Sequence, residues 1–160
     1  MEQQLIHSQI NQYSHYAHSV GVMMLHLEWK PKYAYKMFGK EDQKNLISAC
    51  IRRAASLHNI KIIVLSVMPE HIHCEVQISL NLSPAMALQI LKGLSSKLFF
   101  EHNKKARLRY PRGHLWSRGK FAASVGFVQE EIVRNYILNQ ESHHGNLAFA
   151  KGKSCRQATL

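Results

Sequence analysis

VLSVMPEHIHCEVQIS, Val64 to Ser79, decides how this chain is read. Two apolar runs flank a Pro69-Glu70 turn, which makes them an antiparallel pair of strands, Ile60 to Met68 and His71 to Leu80. Side chains at i and i+2 of a strand point to one face. His71 and His73 therefore project together, followed by Glu75 and Gln77. Ile72, Cys74, Val76 and Ile78 take the other face, which reads as core. Two imidazoles side by side can bind a divalent metal if a third ligand arrives from elsewhere. Taken alone, a His-x-His pair in a chain with 11 histidines is more often a solvated strand face. Its position at the start of a strand with a wholly apolar back argues for a site. Glu75, on the same face, reads first as a solvated strand residue, with an approach to the metal or to a basic DNA-binding residue as the alternative.

Outward from this hairpin the pattern alternates. Val22 to Trp29 reads as a strand, and KPKYAYKMF carries its end into a loop or ribbon. Glu41 to His58 is predicted helical, with Leu46, Ile47, Cys50, Ile51, Ala54 and Leu57 at helical spacing and Asn59 as its stop. Ser83 and Pro84 open a second helix as N-cap and first turn. It runs to about Glu101, with Met86, Ile90, Leu94, Leu98 and Phe99 as its stripe. His102 to Gly113 reads as a basic loop. Leu115 to Val125 reads as a strand broken by Gly119, and Gln129 to Ser142 as a third helix. The order β-α-β-β-α-β-α predicts an α+β fold: a ferredoxin-like, RRM-like antiparallel sheet with helices on one face. One domain is expected over 21–144, after a loose or weakly helical polar lead-in, 1–20, and before a polar tail, 145–160.

Composition narrows the function. The formal charge is +11 and the pI about 9.8, which favours a polyanionic partner, nucleic acid first. Lys92, Lys97, Arg107, Arg109, Arg112, Arg118 and Lys120 form the densest basic stretch and are the candidate DNA contacts. Tyr110 and Trp116 lie among them as candidates for stacking on unpaired bases. For Trp116, core packing is an equal alternative. Asp42 is the only aspartate, beside nine glutamates. A two-metal nuclease, which needs converging carboxylates, is therefore disfavoured. An RNA-recognition module needs aromatics where this strand has His71, His73, Glu75 and Gln77. Three scattered cysteines suggest neither a disulfide framework nor a metal knuckle, consistent with the cytoplasm. No signal peptide or membrane span is read.

In the last helix Tyr136 and Gln140 stand four apart and share a face. A tyrosine can be a covalent nucleophile and an amide oxygen a hard-metal ligand. Periodicity alone makes Tyr136 part of an apolar stripe with Ile132, Val133 and Ile137.

Four segments resemble one family in its own order. MPEHIHCEV resembles the signature of the HUH nucleases. LEWKPKYAYKMF, LWSRGKFAASVG and VQEEIVRNYILNQ are similar to the opening strand, the later strand and the C-terminal helix of the single-tyrosine transposases. The likeness covers roughly Gly21 to Ser142. It implies a homodimeric enzyme that cuts and rejoins single-stranded DNA at hairpin ends of an insertion sequence. It also implies His71, His73 and Gln140 as ligands of Mg²⁺ or Mn²⁺, and Tyr136 as the nucleophile on the C-terminal helix. The rival readings are a repressor on the same fold and a hydrolase that activates water.

Overall fold

The computed structural model describes residues 14–16, 19–126 and 134–139. Ser14–Tyr16 (β1) and Ser19–Gly21 (β2) pair antiparallel, where the sequence suggested a loose or helical lead-in. Then follow β3 (Met23–Trp29), α1 (Glu41–Leu57), β4 (Lys61–Val67), β5 (Ile72–Ile78), α2 (Pro84–His102) and β6 (Phe121–Ser124). Residues 134–139 are helical. The main sheet has the order β4-β5-β3-β6 and is antiparallel throughout. This is the split βαβ arrangement, so the predicted α+β sheet is present.

Local chemistry explains the element ends. Glu41 and Asp42 stand in the first turn of α1, where acidic groups complement the helix dipole. At the other end Asn59 adopts φ 54°, the left-handed conformation that asparagine tolerates. The Ile60 N–H reaches back to Ala55 O at 3.0 Å and closes the helix. In α2 the Ser83 hydroxyl accepts the Met86 N–H at 3.2 Å, and Pro84 needs no donor at that position.

The helices cover one face of the sheet. Leu25, Leu27, Trp29, Ile72, Cys74, Val76 and Ile78 from the strands pack with Ile47, Ile51, Leu88, Leu91 and Phe99. The stripe of α2 lies one residue away from the predicted one. Ala87, Leu88, Leu91, Ser95, Phe99 and Phe100 are buried, while Met86 is 54% exposed. The predicted basic loop is also more ordered. Lys104–Leu108 makes a 3-10 turn that Asn103 caps through Ala106 N–H, and Ala106 and Tyr110 are buried.

Register defines the opposite face. Across β5, Glu28 pairs with His73 and His26 with Glu75. On the other side, Ser66 pairs with His73 and Val64 with Glu75, after a bulge between Ile62 and Val64. A bulge adds a residue and re-aims the strand. Here it places Val64 and Ser66 on the histidine face. Among the described residues no helix is long and apolar enough to cross a membrane.

Candidate active site

The histidine face follows from the alternation of β3 and β5. Leu25, Leu27 and Trp29 point to the helices, so His26 and Glu28 point away, beside His73 and Glu75. His71 stands just before β5, where its carbonyl accepts the Met68 N–H at 2.9 Å and closes the turn. The His71 and His73 rings are 4.9 Å apart and nearly perpendicular. His71 Nδ1 lies 3.4 Å from Glu70 Oε1.

His26 joins them, a residue the sequence reading passed over. Its Nε2 lies 3.2 Å from His73 Nδ1, and the two rings stack with centroids 5.4 Å apart. Burial holds the His26 pKa below the ordinary histidine value, against the opposing pull of Glu28. The signal was present in the sequence. In MMLHLEW, His26 alternates with the apolar residues that face the core and so shares a face with Glu28.

Tyr136 is brought to the same place. Its ring lies 6.3 Å from His73 and 6.5 Å from His26, edge-on to each. Neighbouring Ile137 is completely buried, whereas Tyr136 is 55% exposed. The stripe expected to bury Tyr136 instead anchors the segment through Ile137 and leaves the phenol accessible. Gln140 lies outside the described residues. Within them, no three His, Cys, Asp or Glu side chains converge on one point.

Glu75 corrects an expectation. It is fully buried rather than solvated, because the face on which it stands is covered as well. Met24, Val64 and Ser66 around it are buried too.

The basic candidates divide. Lys97, Arg107, Arg109, Arg112, Arg118 and Lys120 are exposed. The Lys92 ammonium donates to Ser117 O at 2.8 Å and Gly119 O at 3.3 Å, so it secures the loop before β6. Burial, and then Lys120, lowers its pKa. The two stacking candidates are not surface rings. Tyr110 is buried, with its hydroxyl 3.5 Å from Lys32 O. Trp116 donates from Nε1 to Ser95 Oγ at 3.1 Å and packs edge-on to Trp29. An aromatic among charges can as well be the core on which those charges sit.

A family model described as "Transposase IS200 like" matches residues 19–140. The chain belongs to that family. The transposase for insertion sequence element IS200 of Salmonella typhimurium is 26% identical over 124 residues, 78% of this chain and 80% of that one. The ISDra2 transposase TnpA of Deinococcus radiodurans is 25% identical over 119 residues, 72% and 81% of the two chains. In architecture the transposase resembles a putative transposase from Deinococcus radiodurans R1, with a TM-score of 0.65 at 20% identity, over 79% of this chain and 97% of that one. It also resembles a REP-associated tyrosine transposase bound to a REP hairpin, with a TM-score of 0.58 at 14% identity, over 84% and 76%.

Proposed function

We propose that this transposase cleaves and rejoins single-stranded DNA through a covalent link to Tyr136. The observation that carries the reading is the Tyr136 ring, half exposed, beside the His71-His73 pair of its own chain. The phenolic oxygen attacks phosphorus, and the bond from phosphorus to the 3′ oxygen breaks. The products are a 5′-phosphotyrosine link and a 3′-hydroxyl, which takes up a proton as it leaves. The link conserves the phosphodiester bond, so attack by a new 3′-hydroxyl rejoins DNA and releases Tyr136. No nucleotide triphosphate is needed.

His71, His73 and Gln140 would hold a divalent ion, Mg²⁺ or Mn²⁺, which supplies Lewis-acid polarisation of the scissile phosphate. The surroundings of His73 suit a ligand. A ligating histidine ordinarily donates its second N–H to a partner that fixes ring and tautomer. With Nδ1–H donated to His26 Nε2, the His73 Nε2 carries the lone pair that ligates. His26 is then a positioning residue. Burial lowers its pKa, which favours the neutral form that can accept.

DNA is the partner, drawn by the exposed arginines and lysines of 97–120. Binding should therefore weaken steeply with salt as counterions are released. Hairpin-forming single strands are the preferred form and a homodimer the assembly that the resemblance implies, while the scattered cysteines fit the cytoplasm.

The test is incubation with end-labelled single-stranded DNA and Mn²⁺, followed by a denaturing gel. Wild type gives a protein-bound band. Tyr136→Phe loses cleavage by at least about 10³-fold, as removal of a nucleophile does, with DNA binding retained. His71→Ala and His73→Ala lose Mn²⁺ affinity in calorimetry. Cleavage without an adduct would mean a water-using hydrolase, and binding without cleavage a repressor.

A further inference from the structure

The loop that leaves β3 carries an aromatic surface that nothing in the cleavage reaction uses. Tyr33 is 64% exposed and Tyr35 38%. Tyr33 and Ala34 both have positive φ, 65° and 50°. Two successive non-glycine residues in the left-handed region are strained, and such strain persists only where surrounding structure enforces it. The enforcement is visible. Lys32 N–H donates to Leu115 O at 2.8 Å, Ala34 N–H to Pro31 O at 3.1 Å, and Met37 N–H to Tyr35 O at 2.8 Å. Pro31 bridges to Trp116. The strained loop is thus tied down on both sides, with the Tyr33 and Tyr35 rings turned toward solvent.

The rings form a ladder. Tyr33 and Tyr35 have centroids 5.4 Å apart, Tyr35 and Tyr110 5.7 Å, and Tyr110 and Phe100 6.1 Å. Cations stand over three rungs. Lys32 Nζ lies 5.0 Å from Tyr33, Arg109 Cζ 5.9 Å from Tyr35, and Arg107 Cζ 5.3 Å from Phe100. The ladder begins in the core at Phe100 and ends in solvent at Tyr33. Buried Tyr110 is its support. The cleft beside Tyr33 is lined by Lys32, Tyr110, Pro111, Arg112 and His114, with no carboxylate.

Its position matters. Glu28 pairs with His73 one residue before β3 ends, so the loop departs at the end of the sheet where His71 stands. Phe38 N–H donates to Pro69 O at 3.0 Å and ties the loop to the turn that presents His71.

We propose that Tyr33, backed by Tyr35 and flanked by Lys32, Arg109 and Arg112, is a stacking platform for an unpaired nucleobase of the DNA strand that passes the histidine pair. This rests on the single-strand cleavage proposed for Tyr136. The flat rings supply the base contact and the cations receive the adjoining phosphates. An acidic peptide would match the charge but not the stepped rings. A duplex would present its phosphates and keep its bases stacked within itself.

The test is fluorescence anisotropy of the full chain with three labelled probes: a twelve-residue oligothymidylate, a strand of the same length without bases, and a duplex. Tyr33→Ala should weaken oligothymidylate binding roughly 5- to 150-fold, the range of one base–aromatic stack. It should leave the base-free strand and the duplex within twofold of wild type. Tyr33→Phe should restore oligothymidylate binding, and the salt slope should be unchanged in both variants. Thermal melting checks the fold, which an exposed ring should not disturb. Wild-type affinity in Tyr33→Ala overturns the platform, as does an equal loss on the base-free strand. Cleavage of single-stranded DNA by wild type in the same preparation distinguishes failure of the platform from failure of the catalytic mechanism. A wild type that binds neither the oligothymidylate nor a hairpin-bearing single strand overturns both.

Discussion

The two faces of the sheet are both covered, but by different chemistry. The helix face is apolar from strand to strand: Leu25, Leu27, Trp29, Ile72, Cys74, Val76 and Ile78. The opposite face holds His26, Glu28, His73 and Glu75, with Ile137 and Tyr136 from the helical segment laid near it. The strands alternate cleanly, and alternation is ordinarily taken to mean core on one side and water on the other. Here the polar side is closed as well, leaving Glu75 fully buried and His73 at 4% exposure. Burying a carboxylate and imidazoles costs free energy that an apolar face would not. The helix face is therefore where stability resides, and the histidine face is where stability is given up, in our proposal for catalysis.

The largest effect should separate the faces by stability. Ile72→Ala opens a cavity under the helices and should cost about 2–5 kcal/mol. Glu75→Gln, three residues on and equally buried, exchanges a carboxyl for an amide without removing volume. Gln keeps the size and one carbonyl acceptor, so no cavity opens and the cost should stay below that of an emptied core position. Urea unfolding of the metal-free protein should show Glu75→Gln losing clearly less stability than Ile72→Ala. A loss as large as that of Ile72→Ala would mean that both faces serve as core.

The sequence made the helix face legible because burial there obeys period 2 in strands and period 3.6 in helices. The α2 stripe was misplaced by one position because Leu94, Leu98 and Leu88 are equally apolar, and only packing on α1 chooses among them. His71 and His73 were legible as a pair from their spacing. Their neighbour His26 lies 47 positions away, and only the β3-β5 register brings it to His73. Burial of Glu75 was illegible for the same reason, since its cover includes residues from distant parts of the chain. Tyr110 misled, and Trp116 stayed open between stacking and core, because local charge density says nothing about which ring points inward.

A smaller effect should come from His26. If it orients His73, His26→Ala should weaken Mn²⁺ binding about 10- to 100-fold, the range for a lost partner of a metal ligand. His26→Asn, which keeps an acceptor, should recover part of that. Calorimetry reads both without any cleavage assay, and the thermal stability of the two variants should differ little. Unchanged affinity in His26→Ala would reduce the His26-His73 contact to packing and make this face less specialised than its composition suggests.

The smallest effect concerns the helix face under alkali. Cys74 lies completely buried there, and burial pushes its thiol up to about 12, with Glu75 adding to the shift and Arg52 opposing it. In the unfolded chain the thiol ionises near its ordinary value of 9.0. Between these values the unfolded state has lost a proton that the folded state retains. Its stabilising contribution is therefore complete below pH 9 and falls as pH rises toward 12. One pH unit is worth about 1.4 kcal/mol. From pH 8 to 10, wild type should thus lose about that much more stability than Cys74→Ala, which has no thiol to ionise. Urea denaturation of both proteins at the two pH values, under reducing conditions, gives the difference. Parallel loss in the two would mean that water reaches Cys74, and the helix face would then be no drier than the face that carries the histidines.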